Sequence, residues 1–172
     1  MFDQSYLFNY RNNRKPHAND YFQKLHIYTF KSKSNHRYIV NVEEYDYHVM
    51  IIKFYLKAHS LSSKKYQYLT NLNDAPRLIR TCTNIMLDIL SKNPYSSFGF
   101  VAAQSLEEVE NNSKRFNVYR ILMSSWFSPE RFFHKEYKEQ NAYLMLNKNY
   151  GEADMLLKVE AFFKEIYPSL DD

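Results

Sequence analysis

Apolar positions along this chain repeat at two periods, and the longest regular run covers residues 74–92. Leu78, Ile79, Cys82, Ile85, Met86, Ile89 and Leu90 recur every 3.6 residues, which predicts a helix with one stripe laid against a sheet. Asn73 or Asp74 can cap its first turn, Pro76 is tolerated there, and Asn93 with Pro94 ends it. Before this helix the period is two. Residues 21–30 alternate, with Phe22, Lys24, His26, Tyr28 and Phe30 on one face, and residues 38–43 alternate again before a turn at 44–46. Residues 47–58 give the strongest strand. Met50, Ile52, Phe54 and Leu56 share one face while Val49, Ile51 and Tyr55 share the other, so this strand is expected inside the sheet and covered on both sides. Residues 66–72 read as a further strand feeding the helix.

After Pro94, residues 97–103 form a short apolar run around Gly99, and a strand that follows a helix in this way suggests a parallel crossover. An acidic, then polar loop over 104–113 leads to Ser113, a candidate cap for a helix over 114–127. The expected inward stripe of that helix is Val118, Ile121, Leu122, Ser125 and Trp126. Residues 132–137 and 142–147 alternate as two strands, or as one bent strand, joined near 139–141. A last helix over 152–167 turns Met155, Leu156, Val159, Phe162, Phe163 and Ile166 inward. Residues 1–20 are polar and Asn-rich and read as a loosely ordered segment. Residues 21–172 are then expected to form a single α+β domain, with helices packed on a mixed, mostly antiparallel central sheet.

Composition agrees with an ordered domain. The 172 residues include 16 Tyr and 13 Phe but only 2 Gly and 5 Pro, which excludes a low-complexity or disordered chain. The one cysteine, Cys82, falls on the apolar stripe, so it reads as a buried inert thiol and rules out an intramolecular disulfide. No apolar run approaches the roughly 20 residues of a membrane span, and the first residues carry no apolar leader core, so no membrane association and a cytoplasmic location are expected. A formal charge of +4 permits anionic partners without demanding them. The histidines have no spacing that would set two on one face, and no metal site is expected. Glu43 and Glu44, adjacent in sequence, point oppositely and read as solvated turn carboxylates.

Two constellations carry candidate chemistry. Arg77 and Arg80 lie near the N-terminal end of the first helix, where free N–H groups and the macrodipole already favour negative charge. Two cations there call for an anion, either a neighbouring carboxylate such as Asp74 or a bound phosphate or carboxylate ligand. The second is Lys114, Arg115 and Arg120 with Tyr119, a basic and aromatic helix surface suited to nucleic acid or an acidic protein partner.

Antiparallel strands, a helix entered from a strand, a short strand, a loop, a second helix and a final strand pair make an order that resembles the GNAT acyltransferase superfamily. The likeness covers about residues 38–146. It rests on residues 69–80, on 98–103, and on Asn112 followed by Tyr119, Trp126 and Phe127. The resemblance implies an acyl-coenzyme A pyrophosphate held at Asn73, Arg77 and Arg80, with Tyr119 as the acid for the leaving thiolate. Residues 73–81, NDAPRLIRT, contain no glycine, so the implied coenzyme A loop is a degenerate one. The chain also resembles short bacterial proteins that imply no activity of their own.

Overall fold

The structure is a computed structural model that describes residues 4–66, 74–101 and 114–166. Seven strands form one open sheet: β1 (Phe8–Arg14), β2 (Lys24–Lys31), β3 (Arg37–Tyr45), β4 (Val49–Leu56), β5 (Ser97–Val101), β6 (Phe132–Tyr137) and β7 (Ala142–Asn147). Their spatial order is β1-β2-β3-β4-β5-β7-β6. Every pairing is antiparallel except that of β4 with β5, which is parallel because α1 (Ala75–Lys92) crosses between them. Helices α2 (Lys114–Trp126) and α3 (Met155–Ile166) complete the α+β domain.

The alternation read from the sequence decides which side of the sheet each residue serves. Tyr28, Val42, Met50, Ile52 and Phe98 meet the stripe of α1, where Ile85 and Met86 are fully buried, together with Leu122 and Met123 of α2. Leu25, Tyr45, Ile51 and Leu144 face the other way, onto Met155, Val159 and Phe163 of α3. Both faces of β4 are therefore covered, which accounts for its continuous apolar run.

Three expectations are corrected. Within residues 1–20, Phe8–Arg14 is an edge strand antiparallel to β2, not a loose segment. Its side chains are largely exposed, so it needs no apolar alternation, and backbone pairing holds it. Just before it, the Tyr6 backbone N–H donates to Thr81 Oγ1 at 2.9 Å, and the Tyr6 ring stacks on Phe30. Glu43 and Glu44 lie inside β3, not in a turn. Glu43 is buried and accepts from Tyr45 Oη at 2.7 Å and Lys53 Nζ at 3.0 Å. In α2 the inward residues are Phe116, Tyr119, Leu122 and Met123, followed just beyond its end by Phe127, while Ile121, Ser125 and Trp126 face outward. The strand expected at 66–72, the loop at 104–113 and the cap at Ser113 lie outside the described residues. No helix among the described residues is long and apolar enough to cross a membrane.

Candidate functional site

Strands β4 and β5 run together over Val49–Ser97, Met50–Phe98 and Ile51–Gly99, and then separate. Beyond that point β4 continues to Leu56 beside β3, while Phe100 and Val101 stay with Tyr143 and Ala142 of β7. A cleft thus opens at the carboxyl ends of two parallel strands. The helix that connects them starts at this same end, since a crossover helix runs antiparallel to the strands it joins.

Gly99 stands at the last point of contact. A Cβ there would lie 2.8 Å from Ile51 Cδ1, so the absence of a side chain lets the strands meet where they begin to diverge. On the α3 side the cleft widens into a cavity of about 210 Å³ lined by Ile51, Gly99, Val101, Leu144 and Phe163, with Glu160 also on its wall. Glu160 accepts hydrogen bonds from Lys135 Nζ at 2.7 Å and from the Tyr137 hydroxyl. Burial opposes ionisation, but these two donors outweigh it and hold the Glu160 carboxyl below its ordinary range.

On the α1 side, Asp74 occupies the N-cap position, yet its side chain makes no cap hydrogen bond and instead accepts from the Tyr6 hydroxyl at 2.5 Å. Burial, then this bond to a carboxylate, raises the Tyr6 phenol pKa. The Arg77 guanidinium lies over the Tyr6 ring, 4.2 Å from its centroid. Among the described residues no carboxylate pairs with Arg77, and its Nε is buried without a hydrogen bond. Arg80 is buried under Trp126, with Cζ 3.4 Å from the ring centroid. Arg77 and Arg80 are therefore both covered by aromatic faces, one from the N-terminal segment and one from α2. Neither Tyr6 nor the outward face of Trp126 was legible as part of this site, because each reaches α1 from a distant part of the chain.

Tyr119 is 5% exposed, and its ring lies 4.0 Å from that of Phe100 near the end of β5. Tyr119 thus sits in the core, packed on a residue near the end of β5. Behind Phe100, stacked on it, Tyr143 donates its hydroxyl to His134 Nδ1 at 2.8 Å, while His134 Nε2–H donates to the Phe127 carbonyl at 2.9 Å. The carbonyl can only accept, which fixes that tautomer. Arg120 is 41% exposed, with Glu136 Oε2 4.0 Å from Nη1. Asn73 and the side chains of Lys114 and Arg115 fall outside the described residues. Among the described residues no three His, Cys, Asp or Glu side chains gather into a metal site. Compared with protein-family models, curated proteins and solved structures, the chain finds no match.

Proposed function

We propose that the protein binds an acyl-coenzyme A, or a related anionic acyl donor, across the split between β4 and β5, as a GNAT-like transferase or a non-catalytic descendant of one. The observation that carries this reading is the parting of two parallel strands at Gly99, toward the end of the sheet at which their connecting helix begins. Crevices at the carboxyl ends of such strands are where open sheets take ligands. The ligand's anionic end would lie at the first turn of α1. Pro76 removes one backbone donor there, so the grip on the anion rests on the Arg77 guanidinium more than on backbone N–H groups. The acyl end would pass between the strands toward the apolar cavity under α3. In a transfer step an acceptor amine forms the new C–N bond and releases a proton to solvent, the C–S bond breaks, and Tyr119 gives its proton to the departing thiolate and is reprotonated from solvent.

Thermal unfolding with acetyl-coenzyme A tests the binding. Ligand at about a hundred times Kd adds about 2.7 kcal/mol of stability, worth roughly 5 to 10 °C in a chain of this size. The shift should shrink in Arg77→Ala and persist in Tyr119→Phe. If an amine acceptor supports thiol release, Tyr119→Phe should slow it by about a hundredfold or more. No thermal shift at millimolar acetyl-coenzyme A overturns the reading.

A further inference from the structure

At the other end of α1, its last turn closes over the sheet and leaves a groove of about 370 Å³. Tyr10, Tyr28, His26 and Glu44 border it from three adjacent strands, and Ile89 and Lys92 border it from the helix. The polar groups are joined in one direction. Asn13 Nδ2 donates to the Tyr10 hydroxyl at 3.0 Å, that hydroxyl lies 3.4 Å from His26 Nδ1, and His26 Nε2 lies 2.7 Å from Glu44 Oε2. A carboxylate can only accept, so Nε2 carries the hydrogen and Nδ1 is left to accept from Tyr10. This relay fixes one oxygen of Glu44. The other, Oε1, makes no hydrogen bond among the described residues.

Tyr28 is 3% exposed as a residue, but its hydroxyl oxygen keeps contact with the groove and makes no hydrogen bond among the described residues, so it is open to a partner there. Charge indicates the kind of partner. The last turn of α1 presents the negative end of the helix dipole, and Glu44 and Asp88 add carboxylates. The facing cation, Lys92, is tied to Asp88 at 2.7 Å, and the neutral His26 ring is tied to Glu44. The Lys92 ammonium lies 6.0 Å from the Tyr10 ring centroid, so that aromatic face already meets a cation.

We infer that this groove binds a small organic ammonium with an apolar or aromatic body. The ammonium donates to Glu44 Oε1 and to the Tyr28 oxygen beside the face of Tyr10, and the body covers Met50 and Ile89. A ligand of the same shape carrying a carboxylate is repelled by Glu44, Asp88 and the helix end. The site is separate from the β4–β5 cleft and stands whether or not that cleft takes an acyl donor.

Phenethylammonium chloride and sodium phenylacetate, two probes with the same body and opposite charge, test it by titration into the full chain at matched ionic strength, read by tyrosine-ring NMR. The ammonium should saturate with a Kd in the range of about 0.1 to 10 mM, ordinary for so few atoms, and the carboxylate should not. Glu44→Gln should weaken ammonium binding about tenfold or more through loss of the charged acceptor. Because that change also frees His26, Tyr10→Leu on the exposed edge strand gives a second reading. It keeps apolar cover, removes the ring face, and should weaken binding about threefold or more. Arg77→Ala should leave binding unchanged. Equal binding of phenylacetate, ammonium binding unaltered in both groove variants, or no binding of the ammonium at about 20 mM overturns the inference.

Discussion

Gly99 shows how one missing side chain shapes the cleft. Its hypothetical Cβ meets the far end of the flexible Ile51 side chain at 2.8 Å, and the next atoms stand at 3.4 Å or more. Ile51 also lines the cavity of about 210 Å³, so Cδ1 has somewhere to go. Gly99 has ordinary strand geometry, and an alanine there restricts the unfolded chain by about 0.4 to 1 kcal/mol, offsetting the side-chain shift. Gly99→Ala is therefore expected to change folding stability by less than about 1 kcal/mol in urea titration while abolishing the acetyl-coenzyme A thermal shift. Loss of stability by several kcal/mol would instead mark Gly99 as a packing residue with no bearing on ligands. Cys82 has the opposite character: burial raises its thiol to about 12, which suits a core position and removes it from any nucleophilic role.

At the scale of elements, legibility followed the strength of the apolar pattern. The α1 stripe lies on the sheet as its spacing requires, and β6 and β7 begin and end where alternation begins and ends. A parallel crossover into β5 was also readable, because that strand follows a helix, but its partner β4 was not, since a further strand was expected at 66–72. Strand β1 was not, since FNYRNNR carries no alternation and an edge strand can be held by backbone bonds alone. In α2 the phase was ambiguous because apolar residues lie all around it. Ile121 is 46% exposed while Met123 is fully buried, a difference set by which side of the helix meets β5 and α1. The candidate site suffered from the same kind of gap. Arg77 and Arg80 were visible as misplaced cations, but Tyr6 and Trp126, which cover them, come from elements whose placement depends on tertiary packing. The α2 phase is open to measurement. Met123→Ala should cost about 2 to 5 kcal/mol and Ile121→Ala less than about 1 kcal/mol, with equal costs excluding this orientation.

For the molecule as a whole, the buried tyrosines link folding to alkaline pH. Burial raises Tyr28 and Tyr143 to about 12, with Asp88 and Tyr10 adding to the effect at Tyr28 and Glu136 at Tyr143. Unfolded tyrosines titrate near 10, so the fold favours the neutral phenol. Its contribution is complete below about pH 10 and is lost as the pH rises toward 12, and each tenfold difference in proton affinity between folded and unfolded chain is worth about 1.4 kcal/mol. Tyr143 also donates to His134, so removing its hydroxyl breaks a hydrogen bond. Tyr28 has none to break. Tyr28→Phe deletes a hydroxyl that faces the groove without a protein partner, and it removes one titrating group from the alkaline transition. At pH 7 this variant is expected to match the wild type within about 1 kcal/mol, because no protein hydrogen bond is lost. Between about pH 9.5 and 11.5 its stability should fall less steeply, and the gap between the two proteins should widen with pH. Urea titrations at matched ionic strength across that range measure both effects. A Tyr28→Phe protein that is clearly less stable at pH 7, with an unchanged alkaline slope, would show that the Tyr28 hydroxyl already has a partner inside the fold and is not waiting for one from outside.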